Sequence, residues 1–222
     1  MKTFKIYLII VFIMSSKMLF SQQIDSFLQD YHFYKLLHPE KANEYTGIQG
    51  NPYLNSEFSE GVFFLKDTSK VKLPVRYNIY ADEMEYQQKG INYVVGNPES
   101  LNRILLGESV FVYLPFIKKG GYFELLESGK CFLAKKREIK FKPAEGPKPV
   151  EGFAVPAKFV KEPDIFYIVV NHSEGIKIAN MKSLLNALED QKPKIESFIK
   201  QEKIKNTRQD NLIKIVKYYN SL

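Results

Sequence analysis

The sequence predicts an α+β fold: one curved antiparallel sheet, with short helices at the N-terminus and in the middle and a helical unit at the C-terminal end. Two observations carry that reading. From Gly61 the apolar residues recur at every second position in short segments rich in β-formers and cut by turn residues, the mark of a meander. From about residue 181 the spacing returns to three and four residues almost to the end, which marks helices packed on one face or edge of the sheet.

The chain opens with Lys2 and Lys5, then an apolar run over residues 6–14, and the segment closes at Leu19-Phe20-Ser21. A basic start, a short apolar middle and a small exit residue make an export signal. Residues 1–21 are therefore expected to be cut away after Ser21, leaving residues 22–222 as a single mature domain. An uncleaved anchor would need roughly 20 apolar residues, and this run is about half that before Ser15, Ser16 and Lys17 interrupt it. No second long apolar run follows, so the mature chain is expected to have no transmembrane segment.

Ile24, Phe27, Leu28 and Tyr31 share one helix face and predict an N-terminal helix over residues 24–37. Gly47 and Gly50, with Pro52, mark the loop that follows. Strands are expected over residues 62–66, 75–80, 84–88, 91–95 and 110–114. In Val75-Arg-Tyr-Asn-Ile79 the odd positions are apolar and the even ones polar, which predicts one buried and one wet face. Asn97-Pro98 supplies a helix cap with proline at the first turn, and Leu101, Ile104 and Leu105 then predict a short middle helix ending at Gly107. A hairpin over residues 122–134 turns at Ser128-Gly129, with a further strand at 139–141. Five of the 11 prolines fall between residues 143 and 163, which predicts an extended surface loop. Residues 165–170 are apolar on both faces and suit a central covered strand, followed after a turn by a strand at 176–178. Three helices over about 181–220 finish the chain. Leu184, Leu185 and Leu188 line the first; Pro193 opens the second, with Ile195 and Phe198 inward; Thr207 and Asp210 predict a capping box for the third.

Loss of residues 1–21 removes Lys2, Lys5 and Lys17 and no acid, so the formal charge falls from +7 to +4. The basic balance is partly a property of the signal. Cys131 is the single cysteine, so no internal disulfide can form, and its apolar surroundings Phe132-Leu133-Ala134 predict a buried structural thiol. The 17 Phe and 14 Tyr fit a sheet, while the absence of Trp weakens a carbohydrate-binding reading.

Chemistry-bearing motifs are sparse. The three histidines, His32, His38 and His172, fit no His-Glu-x-x-His pattern, and a zinc site needs several converging ligands. Ser128-Gly129-Lys130 ends like a phosphate loop but has Glu124 and Cys131 where glycine and Ser or Thr are required. Glu83 and Glu85 share a strand face about 7 Å apart, a separation open to a glycosidase pair but equally that of a wet charged face. No catalytic, cofactor-binding or metal-ligating residue is assigned, and no cofactor is expected. From Lys177 to the end ten cations face five acids, a basic surface suited to peripheral contact with anionic surfaces.

Gly50-Asn-Pro-Tyr-Leu-Asn55, Val75-Arg-Tyr-Asn-Ile-Tyr80, Gly121-Tyr-Phe-Glu-Leu-Leu126 and Val216-Lys-Tyr-Tyr-Asn-Ser-Leu222 resemble segments of small exported β-rich proteins of the Bacteroidota, and the Phe20-Ser21-Gln22 junction is similar to signal ends in that phylum. The resemblance implies an envelope location and carries over no catalytic residue. The expected function is thus a non-enzymatic, exported cell-envelope protein, periplasmic or at the cell surface, that binds a protein or a cell-surface component. The alternative is a periplasmic carrier holding an apolar ligand such as lipid in the sheet's concavity, and the third reading is a carboxylate-dependent hydrolase. Nucleic acid is not an expected partner.

Overall fold

Alternating apolar and polar residues build strands here because side chains on a pleated backbone point to opposite faces, so each strand can bury one row. The computed structural model describes residues 34–36, 45–117, 120–146, 154–171 and 174–222. Among these the strands are β1 (Tyr34–Leu36), β2 (Ser59–Leu65), β3 (Lys70–Asn78), β4 (Glu83–Gln88), β5 (Ile91–Val95), β6 (Leu101–Leu106), β7 (Ser109–Tyr113), β8 (Tyr122–Glu127), β9 (Cys131–Lys136), β10 (Ile139–Lys142), β11 (Lys158–Lys161), β12 (Ile165–Val170) and β13 (Ile176–Lys177). Three helices follow: α1 (Met181–Ala187), α2 (Lys192–Gln201) and α3 (Gln209–Asn220).

Eleven strands form one antiparallel sheet in the order β1-β5-β4-β3-β2-β6-β7-β8-β9-β12-β13, and β10 with β11 makes a separate ribbon. The class is α+β, as the alternation and the C-terminal helical spacing predict. The sheet curls without closing. Tyr77 of β3 meets Phe111 of β7 with ring centroids 5.3 Å apart, although three strand spacings of about 4.8 Å separate them along the sheet. Asp82, in the turn after β3, reaches Lys136 of β9 at 2.6 Å and accepts the Tyr77 hydroxyl at 2.6 Å, tying the two arms of the curl.

The concave face holds Phe63, Leu65, Val75, Tyr77, Met84, Tyr86, Ile104 and Phe111, all buried in one cluster. The same face of β9 and β12 carries the helices: Cys131, Leu133 and Ile168 pack against Leu184, Ile195, Leu212, Ile215, Val216 and Tyr219. On the opposite face Phe123, Ala134, Tyr167 and Val169 pack beneath Leu114 and Ile117. Strand β12 is therefore covered on both sides.

Several sequence expectations are corrected. Residues 34–36 of the predicted N-terminal helix are strand β1, paired to β5, and residues 24–33 lie outside the described part. The predicted middle helix is a single 3-10 turn, Pro98–Ser100, followed by β6. A bulge explains the misreading: Leu65 stands opposite Leu101 but Phe64 opposite Arg103, so Asn102 is extra. That insertion sets the buried Leu101 and Ile104 three positions apart, a helical interval within a strand. Residues 158–161, inside the predicted proline-rich loop, are β11. Phe159 pairs across to Phe141, and Pro156 and Pro163 flank the strand without interrupting its ladder. Residues 147–153 of that loop are outside the described part. The N-cap of α3 is Arg208, with no side-chain cap bond, so Thr207 and Asp210 form no capping box. The box stands instead at α1, where Asn180 Oδ1 accepts from the Ser183 amide at 3.0 Å and Ser183 Oγ accepts from the Asn180 amide at 3.1 Å.

Candidate interaction surface

On the even-numbered face of β3, Lys70, Lys72 and Pro74 are exposed, but the end at Arg76 and Asn78 is not wet. Arg76 and Asn78 lie under the 45–58 loop, and Glu85 beside them is 1 % exposed. Arg76 donates from Nε to Glu85 Oε2 at 2.8 Å, from Nη1 to the Ser56 carbonyl at 2.9 Å and from Nη2 to the Tyr53 hydroxyl at 3.1 Å. Asn78 Nδ2 donates to Glu85 Oε1 at 3.1 Å and to the Tyr45 hydroxyl at 3.2 Å. Both oxygens of Glu85 are thus engaged, and the Glu83 and Glu85 pair offers no free acid and base. A buried charge held by this many donors is a fastening for the loop, since each unmade bond would leave a desolvated group.

A second buried charge cluster separates the concave core from the helices. Glu124 Oε2 lies 2.8 Å from Lys135 Nζ and accepts from Arg137 Nη1, while Glu124 Oε1 accepts from Ser109 Oγ at 2.9 Å. Lys135 Nζ also donates to Gln209 Oε1 at 2.9 Å, joining α3 to the sheet. Burial alone would push the Glu124 carboxyl up, but the bonds from Lys135 and Arg137 outweigh it and hold the group below the usual carboxylate range.

The remaining candidates fall in similar places. Cys131 is fully buried, and burial, with Asp190 nearby, pushes its thiol up to about 12. A thiol held so far from ionisation is a poor nucleophile. Ser128-Gly129 is the turn of the β8–β9 hairpin, clamped by Asn220 at the end of α3: its Oδ1 accepts from the Cys131 amide at 2.8 Å and its Nδ2 donates to the Cys131 carbonyl at 2.8 Å. Gly129 has φ +155°, and a Cβ there would lie 2.7 Å from the Asn220 side chain, so the turn requires glycine twice over. His32, His38 and His172 lie outside the described residues. Among the described residues no three His, Cys, Asp or Glu side chains converge as a metal site, and no helix is long and apolar enough to cross a membrane. In the basic helical unit, Lys217 reaches Glu127 of β8 and Asp190 meets Lys130, each at 3.7 Å.

One open groove among the described residues lies on the outer face of the sheet. Val112 of β7, Leu125 of β8 and Phe132 of β9 point away from the concave core and the helices, because their neighbours Phe111, Glu124 and Leu133 point toward them. They floor a groove of about 490 Å³ that crosses β6 to β9. Phe116, 45 % exposed in the turn after β7, forms its wall; Lys66 and Asn102 line it from β2's end and β6, and Ser128 and Gly129 from the hairpin turn. Apolar side chains half-exposed on a sheet face lose hydration energy of about 25 cal/mol per Å² that a partner could recover by covering them. The arrangement can bind an apolar group. Sequence reading assigned none of these residues to a binding surface. The signal was present in Val110-Phe-Val-Tyr-Leu114 and Cys131-Phe-Leu-Ala134, which are apolar at odd and even positions alike, unlike Val75-Arg-Tyr-Asn-Ile79.

No family model matches this chain, and no curated protein or solved structure matches it either.

Proposed function

We propose that this is a non-enzymatic, exported protein of the cell envelope that binds an envelope component through the groove on the outer face of β6 to β9. The observation that carries the reading is the half-buried apolar floor Val112, Leu125 and Phe132 with the exposed Phe116 at its edge, on the sheet face that the helices leave free. The opening Lys2 and Lys5, the short apolar run and Ser21 support export, and the resemblance to exported proteins of the Bacteroidota supports the envelope as the setting. The carrier reading places its ligand in the concavity, but that face is filled by the protein's own Tyr77, Tyr86, Phe111 and Tyr122, none more than 3 % exposed. Room for an apolar group is on the outer side.

The test is capture from an extract of the host's own envelope by immobilised mature chain, compared with the Phe116→Asp variant. Phe116 is exposed and belongs to no core cluster, so the substitution should leave the fold intact, verified by an unchanged melting curve. An envelope component retained by the native chain and lost with Phe116→Asp is the expected result. Equal retention by both proteins would refute the groove as the contact.

A further inference from the structure

We infer that the groove takes an anionic amphiphile, with the charged head at Lys66 and the apolar chain laid over Val112, Leu125 and Phe132. This rests on the binding role proposed for the groove and names the class of its occupant.

The two ends of the groove differ in chemistry. At one end stands Lys66, exposed and with no ion pair among the described residues. Its neighbour Asp67 is turned toward Ser69, with Oδ1 accepting from the Ser69 amide at 3.0 Å and from Ser69 Oγ at 2.6 Å. The Lys66 amide donates to the Ser100 carbonyl at 3.2 Å, which fixes the base of its side chain beside Asn102. The middle of the groove is apolar, and the far end is the small uncharged turn Ser128-Gly129. A cation at one end of an apolar track complements a molecule with one anionic end and an apolar body.

Geometry separates this occupant from a protein segment. The groove crosses strand faces, and β6 to β9 have neighbours on both sides, so an extended peptide finds no free edge to pair with. A volume of about 490 Å³ lies within the range of small-molecule sites, roughly 300–1,000 Å³. Four strands at about 4.8 Å spacing make a track about 14 Å long, the length of a medium acyl chain rather than of a folded partner's interface.

The experiment follows the fluorescence of dansyl-undecanoate bound to the full mature chain, displaced by dodecanoate, methyl dodecanoate or dodecylammonium below their critical micelle concentrations. Dodecanoate should compete best. Lys66→Ala should weaken it about fivefold, the change an exposed charge pair supports, and Lys66→Glu should reverse the order of dodecanoate and dodecylammonium. Phe116→Ser should weaken all three alike. Dansyl-undecanoate failing to bind, equal competition by the two charged heads, or indifference to Lys66→Glu would each overturn the inference. If the probes fail while Phe116-dependent capture of an envelope component persists, the proposed binding role survives and only the class of occupant falls.

Discussion

Removing the charge of Glu124 while keeping its shape, as Glu124→Gln does, should destabilise the fold by about 3–5 kcal/mol. The side chains of Lys135, Glu124 and Arg137 are 6 %, 11 % and 13 % exposed, so loss of the carboxylate leaves two nearly buried cations facing each other without their shared anion. Breaking a buried ion pair from one side costs about 3–5 kcal/mol. For a domain of this length each kcal/mol moves the melting temperature by roughly 2–4 °C, so Tm should fall by about 6–20 °C. Differential scanning calorimetry and urea titration measure both quantities. The pH dependence provides a second readout. Because the folded carboxyl is held below its unfolded value, its contribution is complete above the unfolded pKa, about 4.3, and is lost as pH falls through the folded one. The acid limb of stability should therefore be shallower in Glu124→Gln than in the native chain. Adding Lys135→Met to Glu124→Leu should restore part of the loss, since an apolar pair of similar volume tolerates the same burial. A loss under about 1 kcal/mol for Glu124→Gln would refute the view that this cluster cements the helices to the sheet.

Arg76→Lys should cost about 1–2 kcal/mol, because a lysine cannot reproduce the fork to Glu85, Tyr53 and the Ser56 carbonyl or the stacking 4.0 Å from the Tyr53 ring centroid. Hydrogen exchange should quicken over residues 51–58 and stay unchanged in β6 to β9; uniform quickening would contradict the fastening role. Native chain at pH 8 should resist Ellman's reagent at Cys131, whose thiol is buried and pushed up to about 12, and should give one equivalent of labelling in urea. Rapid labelling without denaturant would show that the Asn220 clamp on this hairpin opens freely.

Local pattern was enough for much of the architecture. Val71, Leu73, Val75 and Tyr77 alternate and are buried, Ile165–Val170 is apolar on both faces and is covered on both, and Leu212, Ile215, Val216 and Tyr219 form the inner stripe of α3. These succeed because strand and helix periods are set by the backbone of the segment itself. The same reasoning failed at Leu101–Leu106, where an unpaired residue shifts the period, and at Lys158–Lys161, where a partner strand across the ribbon decides the conformation. Composition likewise could not tell that Arg76, Asn78 and Glu85 are enclosed, because their enclosure comes from loop residues 20 to 33 positions away in sequence.

The sequence by itself determined the alternation of strands, the helical end, the buried thiol at Cys131 and the poverty of catalytic motifs. Only the tertiary structure decided which apolar residues have partners. Phe111 and Val112 are neighbours in one strand and both apolar, yet Phe111 is buried against Tyr77 across the curl while Val112, half-buried on the outer cluster, floors an open groove. Which face of a doubly apolar strand stays exposed depends on the direction of the curl and on where the helices dock, and both are set by contacts between segments far apart in the chain.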